Sequence, residues 1–295
     1  MIIPVHIIAG FLGSGKTTLM NHLLKMRPEG LKPAIIVNDF GEIPLDGDLI
    51  DRSDYALKEL ASGCVCCTLK GPLSETLAVF AKEEAPDVIL METTGVAIPA
   101  EIGGLFQTLE LKSLVQIGNV ICVIDTNSFL KYEPHFSVIG TQIQQANTIV
   151  LNKADLTSQD RLNAVYRRIE YLCLPESQIV ETNHGKLYPE VVLHKRPMYF
   201  PTFFSVNSHE EFNSFSIETD QVVCLAQLDA FLKNICPKVV RAKGIVRTDK
   251  GVKLLHLTLS GYEITEWEGE TDLSRFVFIG KGIEREDVGV DELFS

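Results

Sequence analysis

Long apolar runs are missing from this sequence, and so are fixed-period repeats, low-complexity tracts and histidine-rich stretches. The amino-terminal run MIIPVHIIAG is interrupted by Pro4 and His6 and ends at Gly10. It falls short of the roughly 20 apolar residues of a bilayer span and of a signal segment with its flanks. The sequence therefore predicts a cytosolic protein with no membrane partner. Cysteine is scarce and odd in number, seven in 295 residues. A cytosolic chain of this length has no need of disulfide staples, so close-set thiols in it point to metal binding or reactivity. Positive charge is also in short supply, 27 Lys and Arg against 39 Asp and Glu, a net charge of -12. Nucleic-acid binding draws on basic side chains that neutralise phosphates, so the balance argues against such a partner. The deficit is evenly spread: residues 1–197 carry 17 basic and 23 acidic side chains, and residues 198–295 carry 10 and 16. Only the stretch from Lys233 to Lys253 runs basic, and it reads as the solvated face of a strand pair.

What is present is a clear alternation over the first two thirds. IIPVHIIA, KPAIIVND, PDVILME, NVICVID and NTIVLNK are short Ile- and Val-rich runs that read as strands buried on both faces of a parallel sheet. Between them, Lys16 to Met26 and Leu73 to Glu84 repeat apolar residues at helical spacing. This predicts an α/β fold, a mostly parallel doubly wound sheet of the P-loop NTPase kind. The pattern breaks at HKRPMYFP, which puts a domain boundary between 197 and 198. Beyond it, a helix through Leu225, Leu228, Phe231, Leu232 and Ile235 precedes the strands AKGIVRT, KLLHLTLS, YEITEWE and RFVFIGKG, a smaller α+β domain. Trp267 reads as part of its core.

GFLGSGKTT follows the first strand and matches G-x-x-x-x-G-K-[ST] in full. Glycines let the backbone wrap closely around a phosphate, and amides at the following helix start face the anion. Gly13, Ser14, Gly15, Lys16, Thr17 and Thr18 thus read as nucleotide-binding, with Lys16 on the outer phosphates and Thr17 on magnesium. LNKAD ends the NTIVLNK strand. Its Asp155 offers a carboxylate to both N1–H and the exocyclic amine of guanine, where adenine would leave it unpaired. Asn152 would tie this loop to the phosphate loop and Lys153 would lay its stem along the base, so the nucleotide is read as GTP. DVILMETTG ends in Glu92, where many such strands end in Asp. Glu92 joins Lys16 as a predicted catalytic residue and joins Thr17 and Asp39 as a magnesium ligand. No D-x-x-G-Q follows, so intrinsic hydrolysis is expected to be slow. His184, in ETNHGK, falls where backbone amides could close over guanine O6.

The stretch SGCVCCTLKG packs Cys64, Cys66 and Cys67 into four positions. Three adjacent thiolates need a cation, and soft sulfur suits zinc or copper(I) far better than magnesium. Structural zinc sites use two separated segments and four ligands. This single segment leaves a fourth position for water, Glu42 or a client protein, and an open site suits release. Cys66 ranks first among the three. Packing and a redox switch remain alternatives for the cluster. Cys122, Cys173, Cys224 and Cys236 sit in apolar patterns and read as packing.

The order of the phosphate loop, NDFGE, GCVCC, ETTG and NKAD resembles the CobW-like GTPases, relatives of the urease and hydrogenase accessory GTPases that deliver metals to target enzymes. RAKGIVR, YEITEWEG and FVFIGKG look like the CobW carboxy-terminal domain, so the resemblance spans nearly the whole chain. It implies a GTP-hydrolysing metallochaperone that holds zinc or another transition metal at the CVCC loop and passes it to a client metalloprotein under nucleotide control, with a homodimer among the assemblies allowed. The tail DVGVDELFS lacks the histidine-rich storage stretch that such proteins often carry. Two other readings stay open: a GTP-switched assembly or signalling protein with redox or structural cysteines, and a zinc reservoir without turnover.

Overall fold

A computed structural model describes residues 2–40, 55–62, 70–193, 212–235, 238–259 and 261–294. The chain divides into two compact units. The division expected between 197 and 198 falls outside the described residues, as do Glu42, Cys64, Cys66, Cys67 and Cys236.

The first unit runs β1 (Ile3–Ala9), α1 (Lys16–Lys25), β2 (Pro33–Phe40), β3 (Ala56–Ser62), α2 (Lys70–Val79), β4 (Val88–Glu92), α3 (Pro99–Gly103), β5 (Val115–Asp125), α4 (Phe129–Tyr132), α5 (Ser137–Gln144), β6 (Thr148–Asn152), α6 (Gln159–Leu172), β7 (Gln178–Glu181) and α7 (Pro189–Leu193). The strands form one sheet in the order β3-β2-β4-β1-β5-β6-β7. Pairings from β2 through β7 are parallel. All five expected strands are found. The reason is visible in β4 and β6, buried along their whole length, where the apolar stretches 88–91 and 149–151 leave no polar side chain stranded inside the strand. α1 buries Lys16, Leu19, Met20, Leu23 and Leu24, the i, i+3, i+4, i+7, i+8 stripe, against Ile8, Ile35, Leu90, Ile121 and Val150 of the sheet. The predicted helix from Leu73 to Glu84 is α2 followed by a π turn at Phe80–Glu84, closed by the Ala85 amide on the Phe80 carbonyl at 2.9 Å before Pro86.

The second unit holds β8 (Phe212–Thr219), α8 (Leu225–Asn234), β9 (Val239–Thr248), β10 (Gly251–Thr258), β11 (Gly261–Glu266), β12 (Ser274–Lys281) and α9 (Arg285–Val288). Its sheet, in the order β11-β10-β9-β12-β8, is antiparallel throughout. Leu228 and Leu232 of α8 pack with Leu255, Leu257, Phe276 and Phe278 into a separate core. Two expectations need correction. Lys243 and Lys253 are each only 5% exposed, so the basic stretch is not simply solvated; Lys253 pairs with its cross-strand partner Glu266, which supplies the countercharge that burial requires. Trp267 is half-buried just past β11 and outside the core cluster.

One buried group of the first sheet titrates. His6, on β1, is fully buried, and neither ring nitrogen has a hydrogen-bond partner among the described residues. A Cβ at Gly118 on the adjacent β5 would stand 2.9 Å from the ring, so the glycine leaves the space the imidazole fills. Burial lowers the His6 pKa to about 4 from the ordinary 6.5. Between those values the unfolded chain takes up a proton that the fold refuses. His6 therefore adds no pH-dependent cost above pH 6.5, and it subtracts stability as pH falls through that value towards 4. The unfolding free energy of the wild type relative to His6→Leu is expected to drop by about 3 kcal/mol between neutral pH and the folded-state pKa. Urea titrations across that range measure it, and parallel pH profiles for the two proteins would assign the acid sensitivity to other groups.

Candidate functional site

β1 delivers the chain to a loop that only glycine can turn at its two tightest points. Gly10 has φ 139°, and a Cβ there would stand 2.3 Å from the Val123 carbonyl oxygen; Gly15 has φ 100°, and a Cβ there would stand 2.2 Å from Asn152 Nδ2. α1 begins at the next residue, Lys16, so the loop amides and the helix start share one concavity. Lys16 is buried, and its Nζ donates to the carbonyls of Gly10 at 3.0 Å and Phe11 at 3.4 Å. Thr17 Oγ1 donates to Glu92 Oε1 at 2.8 Å. Glu92 comes from the end of β4, hydrogen-bonded beside β1, and is 4% exposed. These two side-chain oxygens, side by side at the start of α1 and the end of β4, are the hard donors that would hold a magnesium ion, which would supply positive charge beside the phosphates.

The other wall is built from the end of β6. Asn152 is buried; its Nδ2 donates to the Ser14 carbonyl at 2.9 Å, and its Oδ1 accepts the Gly185 amide at 3.1 Å. Lys153, in the left-handed region at φ 60°, sends its Nζ to the Gly13 carbonyl and to Asp125 Oδ2, both at 2.9 Å. The Lys153 stem thus spans from the base loop to the phosphate loop. Asp155 is exposed, and its amide donates to Asn183 Oδ1 at 3.1 Å. Asp155, Gln159, Asn183 and Lys186 line an open cleft of ≈ 560 Å³.

Gly13, Ser14, Gly15, Lys16, Thr17, Glu92, Asn152 and Lys153 therefore stand in one connected set, and Asp155 is at its rim. Thr18 is exposed in the first turn of α1. Asp39 lies in β2, and its side chain is outside the described residues, as is the whole cysteine cluster with Glu42. His184 is exposed at φ 54° beside Gly185. Cys122 is fully buried, and burial pushes its thiol up to about 12 despite the opposing pull of Lys16, which suits packing; Cys173 and Cys224 are half-buried. Asp125, Asn183 and Gly185 are the participants that motif reading missed. Asp125 did leave a signal, as the lone acid closing the apolar run NVICVID.

Replacing Asn152 by Ala leaves the Ser14 carbonyl and the Gly185 amide without their shared partner. The expected loss of unfolding free energy is about 3 kcal/mol, from two buried main-chain groups at ~1–3 kcal/mol each. Chemical denaturation checks it, and a loss within ±0.5 kcal/mol, about that of a surface substitution, would contradict the bridge.

Comparison with known proteins places this geometry. The family model "CobW/HypB/UreG, nucleotide-binding domain" matches residues 4–180, and "Cobalamin synthesis protein cobW C-terminal domain" matches residues 212–291. "Zinc chaperone CobW" of Sinorhizobium sp is 26% identical over 328 aligned positions, which cover 94% of this chain and 92% of the relative. "Zinc chaperone YjiA" of Escherichia coli (strain K12) is 26% identical, with 97% and 96% covered. "Zinc chaperone YeiR" of the same organism is 32% identical over 62% of this chain, which spans just over half, 56%, of that relative. Matched over more than half of its length by the first model and over most of its second unit by the other, the chain belongs to the CobW/HypB/UreG nucleotide-binding family and carries the cobW carboxy-terminal domain.

Proposed function

We propose that this chain is a GTPase that acts as a metallochaperone, binding a transition metal, zinc first, at its CVCC loop and handing it to a client metalloprotein under the control of the nucleotide. The observation that carries the nucleotide half is the Asn152 bridge, which fixes the NKAD loop against the phosphate loop so that one ligand reaches both. In this reading Gly13 to Thr18 wrap the phosphates. Lys16 exchanges the Gly10 and Phe11 carbonyls for phosphate oxygens, and Asp155 reads guanine N1–H and the 2-amine. Thr17 and Glu92, with Asp39, hold magnesium, which supplies charge neutralisation at the outer phosphates. No glutamine stands directly after ETTG to orient water, so slow turnover is expected. The metal half rests on the thiol chemistry of Cys64, Cys66 and Cys67, with Glu42 as a fourth donor, and on full-length relatives named zinc chaperones. The cytosol, where thiols stay reduced, is the fitting compartment.

Lys16→Ala is expected to abolish GTP binding or turnover while the circular dichroism stays that of the wild type, because the cation at the start of α1 is lost while the apolar stripe of the helix is unchanged. Full turnover in the folded variant would remove the phosphate-loop assignment. Asp155→Asn is expected to lower GTP affinity and raise the relative affinity for XTP, since an amide presents one donor where two acceptors stood. An unchanged GTP to XTP ratio counts against Asp155 as the base reader.

The metal half is tested by chelator competition for zinc with Mg-GDP and with a Mg-bound non-hydrolysable GTP analogue, in wild type and Cys66→Ala. Nucleotide control predicts tighter zinc in the triphosphate state than in the GDP state by about 5- to 150-fold, with zinc raising the affinity for the triphosphate relative to GDP by the same factor. Cys66→Ala should lose the tight site. Equal zinc affinities in both states would leave a zinc-binding GTPase without nucleotide-controlled delivery, and no zinc binding by the reduced protein would favour a GTP-switched assembly protein.

A further inference from the structure

The loop that follows Glu92 is tied down by side chains that no nucleotide motif contains. Thr93 starts it, its amide on the Ile8 carbonyl at 3.0 Å. Gln145, at the end of α5, accepts the Ala100 amide at the start of α3 with its Oε1 at 2.8 Å. Between those anchors stands Gln142 of α5, fully buried, whose Nε2 donates to the carbonyls of Gly95 at 3.2 Å and Ala97 at 2.9 Å. Two carbonyl acceptors demand a donor, which sets the orientation of the amide. Gly95 in turn lies directly on the phosphate loop: a Cβ there would stand 2.7 Å from the Leu12 backbone nitrogen and 2.4 Å from Leu12 Cδ2. Leu12 is next to Phe11, whose carbonyl receives Lys16 Nζ. The Gln142-held peptide therefore leans on the phosphate loop beside the residue whose carbonyl receives Lys16 Nζ.

Building on the GTPase reading above, we infer that Gln142 is a positioning residue for the third phosphate: it holds the Gly95 peptide where a γ-phosphate meets it, and so sets the preference for nucleoside triphosphate over diphosphate. Gln142 touches no nucleotide. It acts through the loop, and a diphosphate that ends short of Gly95 is indifferent to it. A purely structural glutamine would shift both affinities together.

Calorimetric titration with a Mg-bound non-hydrolysable GTP analogue and with Mg-GDP separates the two roles. Gln142→Leu should weaken the triphosphate analogue about tenfold, the worth of roughly one to two buried hydrogen bonds, and leave GDP where it was. Gln145→Leu, which frees only the start of α3, should leave the ratio unchanged. If Gln142→Leu does not fold, Gln142→Asn, which keeps a polar amide but falls short of the Gly95 and Ala97 carbonyls, should show the same selective loss. Equal weakening of both nucleotides, or no change in their ratio, overturns the inference while the GTPase reading stands; a wild type that binds neither nucleotide overturns the reading and the inference with it.

Discussion

The candidate site depends on one carboxamide. Asn152 donates to a carbonyl 138 residues earlier and accepts an amide 33 residues later, and it does both while 2% exposed. A buried amide with both ends bonded to main chain fixes distance and orientation together, because leaving either backbone group unmet costs about 1–3 kcal/mol. The phosphate loop, the base loop and the segment after β7 are each irregular, and none has a strand ladder of its own. Their mutual position is set by this side chain, by Lys153 on the Gly13 carbonyl, and by the glycine at position 15 that lets the amide approach.

The sheet makes that meeting possible. β1 lies between β4 and β5, with β6 and β7 beyond. All these strands are parallel, so their carboxyl ends share one edge, and Gly10, Glu92, Asp125, Asn152 and Thr182 emerge along it. In open α/β sheets ligands collect at such an edge, where successive connections diverge to opposite sides. The apolar strands supply rigidity, and the last residue of each supplies a polar group. This is why β4 ends in Glu, β5 in Asp and β6 in Asn directly after the apolar stretches 88–91, 120–124 and 149–151.

Much of this was legible in the sequence, for a physical reason. Strands buried on both faces must be predominantly apolar, and a loop wrapping an anion must carry glycine at fixed positions, so β1, β2, β4, β5, β6 and the phosphate loop declare themselves. β3, reading ALKELAS, and β8, reading FNSFSIET, were not recognised. Both lie at the edges of their sheets, and β8 is only partly buried, so neither needs the apolar continuity that marks an inner strand. Asp125, Asn183 and Gln142 were hidden for another reason. Each acts through a partner far away in sequence, Lys153, Asp155 or Gly95, and no spacing rule links residues that meet only after the sheet has formed. The cysteine motif is the converse case, because its spacing speaks directly to thiol chemistry while its placement lies outside the described residues.

The two walls of the site are prepared to different degrees, and the difference bears on control. On the proposed base side, Asn152 and Lys153 are already bonded to the phosphate loop, so in that reading little reorganisation precedes binding there. On the phosphate side the polar groups are bonded to the protein itself: Lys16 to two loop carbonyls and Thr17 to Glu92. A phosphate and its cation must displace those bonds, and the net gain is the difference between new and old partners, well below the ~4–6 kcal/mol gross strength of a hydrogen bond. GTP and GDP share the base wall, so it raises both affinities alike and shifts no equilibrium between their states. Any discrimination between them arises on the phosphate side, where exchange is closely balanced. In the proposed cycle, small displacements of the loop after Glu92 would decide that balance, and alternation between two nucleotide states would gain from a decision point there.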